Sequence, residues 1–114
     1  MHLVSLFLFY ALASCIFAFT IDVFTGHDCT GTSRRLNVRD NICASVGNFD
    51  TLSAWIVAYG SSGQRARVYT DSTCASAGVL RGPWFADRPN DSWRVGNCID
   101  FGGQVGRSFS SFPA

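Results

Sequence analysis

The chain has 114 residues; its nine basic residues are all arginine, its eight acidic residues are all aspartate, and its net charge is +1. That balance excludes nucleic acid and anionic membrane as the main partner, because both are held by a large surplus of positive charge. The absence of lysine and glutamate removes both from any catalytic set and disfavours long surface helices.

Residues 3–17 are almost continuously apolar, and no aspartate or arginine precedes Asp22. The run is shorter than the roughly 20 residues that span a bilayer, and it ends in small residues, the pattern of a cleaved secretory signal. Cleavage after Ala13 or after Ala18 fits the small-residue rule. Cutting after Ala18 removes Cys15 and leaves Cys29, Cys43, Cys74 and Cys98, an even set suited to an oxidising compartment. The expected layout is therefore a signal peptide over residues 1–18 and one secreted domain over residues 19–114, with no integral membrane segment. Four cysteines allow three pairings. Local bridges, Cys29 with Cys43 and Cys74 with Cys98, are the simplest, each stabilising by roughly 3 kcal/mol in the chain-entropy model.

Short alternating runs separated by Gly, Ser, Asn and Asp predict an all-β domain. Strands are expected over residues 20–25, 34–39, 55–59 and 65–70, with weaker ones over 78–81, 92–95, 99–101 and 104–109. The 55–59 run is continuous enough to be buried on both faces. Val23-Phe24-Thr25 followed by Cys29 recurs as Val68-Tyr69-Thr70 followed by Cys74, a spacing of 45 residues. Trp55-Ile56-Val57 has a second likeness in Trp93-Arg94-Val95. The repeat predicts two equivalent four-stranded halves, about residues 19–60 and 61–114, packed on each other.

Phe24, Cys29, Gly31 and Ser33 resemble the opening signature of a βγ-crystallin-type Greek-key motif, with Cys29 where a second aromatic is usual. Tyr69, Cys74 and Ser76 repeat it without the glycine. The resemblance extends to small secreted crystallin-like proteins of microbes and plants, among them killer toxins, antimicrobial proteins and a protease inhibitor. It implies a two-motif Greek-key sandwich stapled by disulfides.

Many such motifs bind calcium, and Asp50 with Ser53 matches the acidic residue and the hydroxyl of that pattern. Phe49 stands where another polar ligand is usual, and in the second half Arg94 replaces the hydroxyl after Asn90-Asp91. Calcium needs six to eight oxygens, so the expectation is no cofactor, with Asp50 and Asn90-Asp91 serving as turn residues. Asn90-Asp91-Ser92 is also an N-glycosylation sequon.

After processing, His27 is the one remaining histidine, and no serine sits in a strained glycine-flanked elbow, so an enzyme is not expected. The cysteines lack the close pair of a zinc site. Arg34-Arg35 reads as structural rather than as a processing site. Arg65 and Arg67, alternating on one strand, form a candidate exposed edge. Trp84 and Phe85, in a Gly-Pro turn, are candidates to anchor a protein or stack on sugar, whereas Trp93 reads as core.

The functional expectation is a monomeric, secreted, non-enzymatic binding protein of the toxin, effector or antimicrobial defence kind, acting on an extracellular protein or glycan. A protease inhibitor or carbohydrate-binding module using Trp84 is the alternative. A calcium-stabilised structural protein using Asp50 and Ser53 is a third.

Overall fold

A computed structural model describes residues 18–113. The expected leader lies outside the described residues apart from Ala18, and so does Cys15. Eight strands follow in order: β1 (Ala18–Phe24), β2 (Ser33–Arg39), β3 (Cys43–Ser45), β4 (Ser53–Ala58), β5 (Gln64–Tyr69), β6 (Val79–Phe85), β7 (Cys98–Asp100) and β8 (Ser108–Pro113). They form two antiparallel four-stranded sheets, ordered β2-β1-β4-β7 and β3-β8-β5-β6. Among the described residues no helix is long and apolar enough to cross a membrane.

Period-2 alternation decides which side chains go inside. In β1, Phe19, Ile21 and Val23 are fully buried while Thr20, Asp22 and Phe24 point outward. Each of those three contributes on the order of 1.5–3 kcal/mol by leaving water. In β5, Ala66 and Val68 enter the core and Arg65 and Arg67 face out. One cluster draws on both sheets: Ile21, Ile56 and Ile99 meet Val68, Trp84 and Phe109. Gln64, 1 % exposed, ties the sheets together, its Nε2 donating to the Val38 carbonyl and to Ser111 Oγ.

The third strand of each half is exchanged. β3 belongs to the first half but pairs with β8, and β7 belongs to the second but pairs with β4. Equivalent hydrogen bonds follow in both halves. The Val46 amide donates to the Arg107 carbonyl, and the Phe101 amide to the Leu52 carbonyl, each at 3.0 Å. The Ser53 hydroxyl donates to the Gly26 carbonyl and accepts from the Cys29 amide; the Ser108 hydroxyl does the same with Asp71 and Cys74. Cys29 and Cys74 themselves hold matching left-handed φ values of 58° and 56°. Thr51 and Gly106 form an isolated bridge, each two residues before the clipping serine, Ser53 or Ser108.

Several expectations are corrected. The bridges are Cys29–Cys98 and Cys43–Cys74, not the local pairs. Cys43 and Cys98 each open an exchanged third strand, so each meets the β-hairpin cysteine of the other half. The likeness of Trp55 to Trp93 is not structural: Trp55 lies in β4, while Trp93 sits in the connection 86–97. That connection has no counterpart in the short 40–42 link of the first half. Residues 92–95 are no strand, because Asn90 and Trp93 exchange backbone hydrogen bonds and close a tight turn. β8 begins only at Ser108, after Gly102 and Gly103 turn with φ of 64° and 88°. β6 runs through the Gly-Pro pair to Phe85 because Gly82, at φ 100°, lies where a Cβ would stand 2.7 Å from the Ala66 carbonyl oxygen. β3, three residues long, was too short to be read. Finally, the 55–59 run is not buried on both faces: Ile56 is inside, while Trp55 on the other face is 39 % exposed and Val57 only partly buried.

Candidate functional site

The calcium candidates do not converge. Asp50 is paired with Arg107 Nη2 at 3.0 Å, so a cation side chain already occupies its carboxylate. The Ser53 hydroxyl is consumed in clipping the β1–β2 loop, and the residue is fully buried. Among the described residues no three His, Cys or Asp side chains gather as a metal site. Asn90 is half-buried, its Oδ1 accepting from the Phe85 amide, in a loop whose Asp91 and Ser92 are exposed.

His27 does have a carboxylate partner, but from β7: its Nδ1 lies 3.2 Å from Asp100 Oδ2. Asp100 also accepts the amides of Asp28 and Gly102. Those backbone donors, with His27 adding to them, hold its carboxyl below the ordinary aspartate range. Among the described residues no hydroxyl or thiol hydrogen-bonds the imidazole, and the pair links the β1–β2 loop to β7.

Three carboxylates carry such support. Asp71 is lowered by the Ala75 and Thr73 amides, and Asp87 is lowered to about 2 by hydrogen bonds from Arg88 and the Gly63 amide, burial opposing them. A carboxyl depressed in the folded state stabilises above its unfolded pKa, about 3.9, and that stabilisation is lost as pH falls through the folded value. The melting temperature is therefore expected to hold from neutral pH to about pH 4 and to fall between there and about pH 2, and Asp87→Asn should flatten that fall. Thermal scans across this range check it; an unchanged slope in the variant would remove Asp87 from the account.

Trp84 does not lie in an exposed turn. It is 7 % exposed, points inward from β6, and packs on Trp93 with ring centroids 5.2 Å apart. Its alternation with Phe85 decides this: Phe85 takes the outward position. There it lies between two guanidinium groups, Arg65 at 4.9 Å and Arg88 at 4.7 Å from the ring centroid. Arg65 stands in register with Phe85 on β6 and with Phe112 on β8. Arg67 in turn lies 4.7 Å over the Phe112 ring. Tyr69, next on the same face, has its hydroxyl bonded to Ser110 Oγ.

The outward face of the second sheet is thus a row of guanidinium–aromatic stacks, each worth about 0.5–2 kcal/mol. Asp87 neutralises Arg88. Among the described residues no carboxylate lies within ion-pair distance of Arg65 or Arg67, and the buried Nε of each has no hydrogen-bond acceptor. A guanidinium group carries forked N–H donors that suit a carboxylate, sulfate or phosphate. Arg65, Arg67 and Phe85 are brought together; Trp84 is not among them. Arg88 and Phe112 were missed, since their placement depends on cross-strand register and on a loop.

Arg34, by contrast, is structural: it stacks on Phe49 at 4.7 Å and donates to the Val46 carbonyl. Comparison of the chain with protein-family models, with curated proteins and with solved structures finds no match.

Proposed function

We propose that this protein is an exported, non-enzymatic binding module of the toxin, effector or antimicrobial defence kind, and that it engages an acidic extracellular target. The observation that carries the reading is the pair of un-neutralised guanidinium groups, Arg65 and Arg67, stacked on Phe85 and Phe112 across an open sheet face. A net charge of only +1 makes the recognition local, through fixed donors, rather than a general attraction to polyanions. Two bridges tying half to half suit a scaffold that must survive outside the cell. The exchange of third strands and the paired serine clips favour the crystallin-like Greek-key reading of the fold.

Purified protein added to bacterial, fungal and plant-cell cultures is expected to arrest growth or kill at least one of them. The R65A/R67A double variant, folded by circular dichroism, is expected to be inactive at the same dose. No effect on any culture, or full potency of the double variant, would refute the proposal.

A further inference from the structure

The opposite face of the sandwich carries a different chemistry. Three tryptophans divide sharply: Trp93 is 1 % and Trp84 7 % exposed, whereas Trp55 is 39 % exposed on the outer surface of the first sheet. Indole is costly to leave in water, and Trp55 sits at mid-sheet on β4, not at a frayed end. Register places it directly opposite Asp22 on β1 and Cys98 on β7. Asp22 in turn stands opposite Arg35 on β2, which grips it bidentately, Nε to Oδ1 at 2.8 Å and Nη2 to Oδ2 at 3.1 Å.

Arg35, Asp22, Trp55 and Cys98 therefore form one line across all four strands. Cys98 is closed in its bridge to Cys29; the other three, on adjacent strands about 4.8 Å apart, span about 10 Å, the reach of a short oligosaccharide rather than of a single sugar. The charges cancel within the ion pair, so the line offers nothing to attract an ion. What it offers is one flat apolar plane beside a rigid acceptor and donor set. Asp22 keeps lone pairs that Arg35 does not use, and Arg35 keeps N–H groups that Asp22 does not use. An aromatic plane flanked by fixed polar groups is complementary to a pyranose ring, which has an apolar C–H face and an equatorial rim of hydroxyls. The second sheet lacks this device: Ser110 stands opposite Arg67 there, and its aromatic faces are covered by guanidinium.

We propose that the outer face of the first sheet is a binding site for a neutral oligosaccharide, with Trp55 as the stacking platform and the Asp22–Arg35 pair as the hydroxyl-bonding flank. The proposal stands independently of the acidic-target reading, which rests on the other face.

Because Trp84 and Trp93 are buried, iodide quenching of intrinsic fluorescence reports mainly on Trp55. The full protein would be titrated with neutral oligosaccharides of N-acetylglucosamine, glucose and mannose, and with polygalacturonate, by calorimetry and by quenching. At least one neutral oligosaccharide is expected to bind and to shield Trp55 from iodide. W55A should weaken that binding at least tenfold, about 1.4 kcal/mol, with R65A/R67A unchanged. W55F, which keeps a smaller aromatic plane, should fall between wild type and W55A. D22N leaves the indole in place and should also weaken binding, which keeps the test decisive if W55A folds poorly. Binding of polygalacturonate alone, no binding of any neutral oligosaccharide at millimolar concentration, or equal affinity in wild type, W55F and D22N would overturn the proposal.

Discussion

Replacing Cys29 and Cys98 together by serine is expected to lower the unfolding free energy by about 4 kcal/mol. The bridge spans 69 residues of chain, and the Cys43–Cys74 bridge spans 31; closure entropy rises only slowly with length, so the second pair should cost nearly as much. Either loss is a large fraction of the 5–15 kcal/mol that keeps an ordinary domain folded. Both bridges also pin an exchanged strand, β7 or β3, of only three residues. Chemical denaturation of the double-serine variants measures the loss, and a non-reducing digest should link Cys29 to Cys98 and Cys43 to Cys74. Loss of less than about 1 kcal/mol from either variant would mean that the unfolded chain is already constrained in other ways.

The second large effect is expected at Trp93. Its ring meets Phe19 edge-on at 5.0 Å and Trp84 at 5.2 Å, and it is nearly the whole buried contribution of the 86–97 connection. Trp93→Ala should cost about 3–5 kcal/mol, the usual range for truncating a buried aromatic, because strand-bound neighbours cannot collapse into the space. Trp93→Phe should recover much of it, since the buried Nε1 of Trp93 has no acceptor to lose. Urea melts of the two variants decide the matter; similar stability of Trp93→Ala and wild type would show the connection to be a loose covering, not part of the core.

Much of the fold was legible because strand alternation is a local property. The runs holding Ile21 and Val23, and Ala66 and Val68, show their inner faces within a few residues of sequence, and the structure places them as read. The repeat of Val23-Phe24-Thr25 in Val68-Tyr69-Thr70 was equally local, and it leads to the equivalence of β1 with β5. Its glycine differs for a visible reason. Gly31, at φ 86°, turns the first hairpin, whereas Ser76 opens a short 3-10 turn, Ser76–Gly78, and Asp71 Oδ1 gathers the Thr73 and Ala75 amides before it.

The candidate surfaces were half legible. Arg65 and Arg67 alternate outward in any strand, so their exposure could be read, as could the adjacency of Phe85. That Trp84 turns inward could not, because Gly82-Pro83 reads as a turn until Ala66 is seen to demand a glycine beside it. Trp55 was obscured by its own neighbours. A run of apolar residues looks buried on both sides, but among the described residues no third layer covers Trp55 on the first sheet, and its indole is 39 % exposed.

Composition and alternation thus determined from sequence alone that the chain is all-β and disulfide-bearing. Its tertiary structure decided which cysteines meet, which tryptophan is exposed and which arginines lack a carboxylate. Each of these depends on strands distant in sequence lying side by side, above all on the exchange of β3 and β7 between sheets. Local spacing carries no trace of that exchange, because the energy that selects it comes from burying both halves against each other and not from any segment by itself.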